Sequence, residues 1–257
     1  MIAAPRHFTA LSGRLRWDPD AVDLAADARA WPSLPAARRR RLGALLCGFV
    51  VAEASVARDI APFIPAARDP ETMAALSAQR ADEERHARLF DRIAALVLGL
   101  PGDGPEGRRR AARKRVPAEL LDLFERRLSR TAAELAGGRV GLEEAVGLYH
   151  MVIEGLVLSA GQRALLDDLG DGTLPGVRAG IERVERDERW HVGFGLRCLL
   201  DLGPDASVVA ALAQAGDTAV RAWGEAVPAP VRRRAEAMHR RRLASVGLTH
   251  AAAGSLA

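Results

Sequence analysis

A chain of 257 residues that is 49% hydrophobic can bury one substantial core, and nothing in its composition marks a second domain. Aromatic residues are only 4%, while Ala, Leu, Val and Arg dominate, which argues against a β-sandwich or barrel and for helices. The formal net charge is +4, and a single lysine, Lys114, stands among 37 basic residues, so the sequence pI of about 9.9 reflects an arginine bias and no nucleic-acid partner is expected.

In chain order, an irregular arm is expected over residues 1–17. Asp18-Pro19-Asp20 then starts a short helix that reaches about Trp31, where Pro32 and Pro35 break it. From Ala36 to about Pro65, apolar residues such as Leu42, Leu45, Phe49, Val56 and Ile60 recur at three- and four-residue steps, predicting a long helix with Glu53 in its middle. Asp69-Pro70-Glu71 opens a second long helix to about Leu98, which carries Glu83 and His86. Gly99 to Gly107 is predicted as a loop, and Arg108 to Arg115 as a basic loop or helix start. A third helix runs from Pro117 to about Leu135 and is closed by Gly137-Gly138. Gly141 to about Leu169 is the fourth, with Glu154 central, and Leu174 to about Leu202 the fifth, with Glu188 and His191. Asp205 to Val246 reads as one or two more helices, and an Ala-rich tail over 247–257 is expected to be mobile. The whole chain, 1–257, is expected to be one all-α domain.

Cys47 and Cys198 fit neither a disulfide framework nor a metal-type spacing and read as small buried hydrophobes. The N-terminus lacks a signal-like pattern, and no apolar run approaches the roughly 20 residues that span a bilayer. The expectation is a cytoplasmic protein without a membrane span.

Two stretches carry the chemistry. Glu83-Glu84-Arg85-His86 and Glu188-Arg189-Trp190-His191 each place a glutamate three residues before a histidine within a predicted helix. At that spacing both side chains leave the same face one turn apart and can reach one metal ion. A carboxylate-bridged di-metal bundle needs two such pairs and a lone glutamate from each of two further helices. Glu53 and Glu154 complete the set. Glu154 lies in the apolar run Val152-Ile153-Glu154-Gly155-Leu156, where an unpaired carboxylate would be costly to bury, and a metal removes that cost. Four carboxylates and two imidazoles suit manganese or iron better than zinc. Asp82 and Asp187, each directly before a pair's glutamate, are candidates to accept the ring N–H of the opposite histidine. His150 reads as a structural histidine, and His7, His239 and His250 as incidental.

With these residues in place, the chain resembles the ribonucleotide-reductase small-subunit superfamily, and within it the ligand-binding oxidases that carry a manganese/iron centre. The resemblance runs from about Leu15 to His191. It is densest at Phe49-Val50-Val51-Ala52-Glu53 through Phe63, at Tyr149-His150-Met151-Val152-Ile153-Glu154-Gly155, and at Asp187-Glu188-Arg189-Trp190-His191. It implies a ferritin-like four-helix bundle core with additional helices. It further implies a first, manganese site made by Glu53, Glu83 and His86, and a second, iron site made by Glu154, Glu188 and His191, with Glu83 bridging; two irons are the alternative.

Tyrosine usage separates the subfamilies. Reductase small subunits usually carry a radical tyrosine four residues after the first histidine of the pairs, where this chain has Phe90, and they need further tyrosines near the C-terminus; Tyr149 is the single tyrosine here. The oxidases have a tyrosine five residues before the third glutamate and a valine three residues after the first, places held by Tyr149 and Val56. The resemblance therefore implies an O2-activating oxidase, an ether cross-link between Val56 and Tyr149, a long-chain fatty acid at the metals and a homodimer. The chain departs from the family in being three residues shorter between its first two glutamates, in ending sooner after the fifth helix, and in having Arg80 and Ala81 where the family is apolar or aromatic. These departures leave room for a smaller or more polar ligand. A di-iron oxygenase acting on a specific metabolite, such as an amine N-oxygenase, and a ferritin-like iron-binding protein are the competing readings.

Overall fold

The computed structural model describes residues 2–245 and Gly247; the tail predicted over 247–257 otherwise lies outside the described residues. Helices α1 (Pro5–Leu15), α2 (Ala25–Ala30), α3 (Ala36–Asp59) and the short α4 (Phe63–Ala66) lead to α5 (Pro70–Leu96) and α6 (Gly104–Arg113). Next, α7 (Ala118–Leu121) continues through a π-helical segment, π1 (Asp122–Arg127), into α8 (Leu128–Ala136). In the same way α9 (Leu142–Val146) passes through π2 (Gly147–Leu158) into α10 (Ser159–Asp168), and α11 (Pro175–Leu202), α12 (Ala206–Ala219) and α13 (Ala229–Ser245) come after it. Among the described residues there is no strand, and no helix is long and apolar enough to cross a membrane.

The fold is the predicted all-α, ferritin-like four-helix bundle with additional helices. Helix α3 packs along α5, α5 beside α11, α11 along π2, and α10 back against α3. Leu42, Leu45, Leu46 and Phe49 of α3 and Leu76, Leu89 and Phe90 of α5 are buried between them, as the helical period of their apolar residues dictates. Helices α12 and α13 lie on the outside of π2.

Local chemistry sets where the long helices start. Asp69 accepts the Thr72 N–H at 2.9 Å to cap α5, and Pro70 stands next at its first turn. The start of α11 is capped from elsewhere in the chain: the buried Asp27 accepts the Val177 N–H at 2.7 Å and the Gly176 N–H at 3.3 Å. Gly176 is required there, because a Cβ at that position would stand 1.9 Å from the Asp23 carbonyl oxygen.

The helix expected from Asp18 to about Trp31 is a single 3-10 turn at Pro19–Ala21 followed by α2. Helix α3 ends at Asp59 and not near Pro65, with Phe63–Ala66 a separate turn. Two further segments also differ from the sequence reading. Residues 5–15 form a helix, not an irregular arm. It buries little more than Phe8 and Ser12, and its apolar face is satisfied by α5 and α11, so its stability comes from tertiary contact that local pattern does not reveal. The predicted 99–107 loop is shorter, because α6 begins at Gly104 with Pro105 and Glu106 in its first turn and arginines in its last.

Candidate metal centre

Four helical segments converge on one buried point. Glu53 comes from α3, Glu83 and His86 from α5, Glu154 from π2, and Glu188 and His191 from α11. All are fully buried except Glu188, which is 3% exposed. The structure thus brings together every residue of the predicted six. His86 Nδ1 lies 3.4 Å from Glu83, 3.5 Å from Glu188 and 3.7 Å from Glu53. His191 Nδ1 lies 3.2 Å from Glu83, 3.5 Å from Glu188 and 3.6 Å from Glu154. Within the group Glu53, Glu83, His86 and Glu188, and again within Glu83, Glu154 and His191, the candidate ligand atoms lie within 4.8 Å of one another.

Glu83 turns one oxygen to each histidine, as expected of a bridge. Glu188 does the same, so it faces both halves of the site instead of the second alone. The geometry stems from position: each glutamate of a Glu-x-x-His pair stands between its own histidine and that of the antiparallel partner pair, whereas Glu53 and Glu154 close the two ends.

The donor atoms are unsatisfied in a way that fits metal ions. Both carboxylate oxygens of Glu53 and of Glu188, Oε2 of Glu83 and of Glu154, and Nδ1 of both histidines are buried without a hydrogen-bond partner. Leaving so many charged groups unpaired in a protein interior would cost several kcal/mol for each ion. Two divalent cations between the histidines would meet these atoms and balance the four glutamate charges. Four carboxylates with two imidazoles form a donor set suited to manganese and iron.

The protonation pattern shows what stands in for metal charge. Burial pushes the Glu53 carboxyl up to about 7 against the opposing pull of His86. Glu154 is raised well above the carboxylate range by burial and then by the Glu188 and Glu83 charges. Burial alone would drive His86 and His191 down, but the surrounding carboxylates outweigh it and hold both well above the usual imidazole value. Without metal the cluster therefore retains protons, which ions must displace to bind.

Behind the candidate ligands, each of the two aspartates faces the histidine of the opposite pair, but only Asp187 is hydrogen-bonded to it. His86 Nε2 is 3.2 Å from Asp187 and His191 Nε2 is 3.5 Å from Asp82. A carboxylate facing Nε2 favours the proton there and leaves the Nδ1 lone pair for a metal. Asp187 also accepts the Trp17 indole N–H at 2.7 Å, and Trp17 stacks over His86 with centroids 6.2 Å apart. Asp82 accepts from Ser12 Oγ at 3.0 Å, from Trp190 Nε1 at 3.1 Å and from Arg85.

Sequence reasoning missed Trp17, Ser12 and Gln79. Gln79 donates to Glu154 at 2.7 Å, while its oxygen lies 2.9 Å from His150 Nε2, so the structural histidine acts through Gln79 to hold a candidate ligand in place. Its position four residues before Glu83, on the same helical face, was the available signal. Nothing local marks Trp17 or Ser12, which reach the site from the N-terminal segment.

Tyr149 is fully buried and donates its hydroxyl to Glu83 at 3.0 Å; burial, then the charges of Glu83, Glu154 and Glu188, holds its phenol neutral with a pKa well above 10. Val56 is fully buried too. Phe90 occupies an apolar stack on Phe49, with centroids 5.0 Å apart and planes inclined by 11°.

The sequence profile of the ribonucleotide reductase small chain matches residues 7–207. The chain belongs to the ribonucleotide reductase small-chain family. All six candidate ligands fall inside the part of the chain matched to the small-chain family, whereas α13 lies beyond it. Among solved structures, it is similar to an R2-like ligand-binding oxidase, a valine-to-alanine variant with an anaerobically reconstituted Mn/Fe cofactor. That similarity has a TM-score of 0.76 and 18% identity, covering 96% of this chain and 92% of that one. A glycine-to-leucine variant of an R2-like ligand-binding oxidase with an Fe/Fe cofactor gives a TM-score of 0.75 and 19% identity over 96% of this chain and 86% of that one. At this identity the likeness shows that this member of the small-chain family shares their fold.

Proposed function

We propose that this protein is an O2-activating dinuclear metal oxidase. Its ions, one manganese and one iron or else two irons, are held by Glu53, Glu83, His86, Glu154, Glu188 and His191. The observation that carries this reading is the set of buried donor atoms on these six side chains, left without hydrogen-bond partners and gathered around two inward-facing imidazole nitrogens. The metal cofactors of the similar R2-like oxidases support it. Two such ions, when held there, would supply the power to reduce O2 and to oxidise an unactivated C–H bond.

The chain's own residues do the rest. Asp187 holds the His86 ring, Asp82 faces the His191 ring at 3.5 Å, Gln79 orients Glu154, and the surrounding apolar side chains exclude water. We assign Val56 and Tyr149 as the pair joined by an ether cross-link, a C–O bond formed with loss of two hydrogens; the hydrogen bond from Tyr149 to Glu83 gives the phenolic proton a carboxylate to move to. Phe90, in its apolar stack, speaks against a radical-storing reductase role. The ligand we assign is fatty-acid-like, an organic acid with an apolar body.

Anomalous diffraction at the manganese and iron edges is expected to place two ions among the six side chains. Peptide mass spectrometry after exposure to O2 is expected to show a two-hydrogen loss joining Val56 to Tyr149. A protein that takes up no metal from manganese and iron solutions overturns the dinuclear reading, and metal uptake without the mass loss overturns the cross-link alone.

A further inference from the structure

Helix α13 packs on π2, α10 and α12, and Ala235, His239 and Leu243 are the residues it buries. It lies beyond the part of the chain matched to the small-chain family. Its opposite face carries Arg233, Arg234, Arg240 and Arg241, all exposed. By helical spacing Arg233 and Arg240 form one row and Arg234 and Arg241 a second, each pair two turns or roughly 10 Å apart, with Ala237 and Ala244 between the rows. The result is a flat cationic strip bordered by Met238, a large apolar side chain left 37% exposed.

The arginine bias of the sequence does not produce such a strip elsewhere. In the other basic runs Arg38 pairs with Asp168, Arg108 with Asp91, and Arg109 and Arg113 with Glu125. On α13 none of the four meets a carboxylate among the described residues, and Glu236 is the single acidic residue of the helix. Like charges held side by side repel, and the crowding registers on Arg242, whose pKa is lowered by burial and then by the Arg241 charge. A polyanionic surface laid on the strip relieves that repulsion.

We propose that α13 docks this protein on the surface of an anionic lipid bilayer, its four guanidinium groups meeting lipid phosphates. Size and shape select that partner. A helix of 17 residues exposes a strip about 25 Å long and about 10 Å wide, roughly 250 Å² and far below the roughly 800 Å² that each side of a standard protein interface buries. Because α13 lies flat against the bundle, it does not project into the groove of a nucleic-acid duplex. A bilayer requires neither a matching surface nor a groove, since each basic side chain near an anionic leaflet adds to the attraction separately. Met238 and Arg234 also line a cavity that reaches Glu188, so docking on this face brings that cavity to the lipid. This last consequence rests on the dinuclear reading and its fatty-acid-like ligand; the docking itself does not.

Vesicle flotation of the full chain, metal-free and after treatment with manganese and iron, tests the proposal. Binding to phosphatidylcholine vesicles containing about one third phosphatidylglycerol is expected to be about tenfold or more stronger than to phosphatidylcholine alone, and to weaken about tenfold or more between about 0.1 and about 0.5 M salt. The Arg233→Gln/Arg234→Gln/Arg240→Gln/Arg241→Gln variant is expected to lose about tenfold or more of this binding, with its melting temperature and metal content unchanged. A control with the same loss of charge at exposed positions elsewhere, Arg6→Gln/Arg80→Gln/Arg110→Gln/Arg126→Gln, is expected to bind as the wild type does. No binding, equal binding to the uncharged vesicles, or an equal loss in the control overturns the proposal. So does equally tight binding of a DNA duplex through the same four arginines. Arginine-dependent vesicle binding by a protein that takes up no metal sustains the docking face and sinks the dinuclear reading, whereas metal uptake without vesicle binding does the reverse.

Discussion

Asp82 is fully buried, accepts hydrogen bonds from Ser12, Trp190 and Arg85, and faces His191 across the bundle. Burial opposes its charge, yet His191 and Arg85 outweigh that and hold its pKa below the usual carboxylate value. Replacing it by alanine strands several buried donors at once, so Asp82→Ala is expected to cost roughly 3–5 kcal/mol in urea denaturation, with Asp82→Asn costing less. His150 makes a second, pH-dependent case. Burial and the His191 charge push its pKa from 6.5 to about 3, so it is neutral when folded and protonated at ordinary acidity when unfolded. Its contribution is therefore complete above pH 6.5 and declines as pH falls from there toward about 3. Between about pH 7 and pH 5, wild-type protein is expected to lose about 1–2 kcal/mol more stability than His150→Gln, measured by denaturant melts at each pH. At this scale the six candidate ligands and the two aspartates were legible, because helical spacing turns sequence distance into a shared face. Trp17 and Ser12 were not, because they reach the site through tertiary placement of a segment with little periodicity of its own.

The long helices were also legible, since apolar period and caps such as Asp69 are local properties. The π-helical character of Gly147–Leu158 was not, for an apolar run in which nearly every residue is buried carries no marker of a wider turn. Its neighbours suit that backbone: Ser159 donates to the Glu154 carbonyl at 2.9 Å, Trp223 to the Val157 carbonyl at 2.8 Å, and Arg242 to the Gly155 carbonyl. A π turn accommodates an extra residue, and removing one residue from a helix rotates its C-terminal part by about 100° relative to its N-terminal part. Deletion of Val152 is therefore expected to leave helix content by circular dichroism nearly unchanged while metal stoichiometry, read by elemental analysis, falls to one ion or none. Undiminished metal binding would show that the wide turn is not needed to aim Glu154.

Across the whole molecule, the C-terminal elements are fastened to the bundle through Trp223. Its ring lies where a Cβ on Gly48 would stand 2.3 Å from it and a Cβ on Gly161 2.5 Å, and it packs against Phe49 with centroids 5.1 Å apart. Trp223→Ala is expected to cost roughly 3–5 kcal/mol, read as a lowered unfolding midpoint in guanidinium, because so close-fitting a ring leaves a cavity its neighbours cannot fill. The same tightness bears on the history of each molecule after synthesis. Five of the six candidate ligands are fully buried and only Glu188 keeps any exposure, so an ion bound there would reach the inner donors only through local opening of the helices. The pace of any such loading would then follow the breathing of the bundle and not affinity alone. A chain packed this closely would take up metal slowly and, once loaded, would release it as slowly.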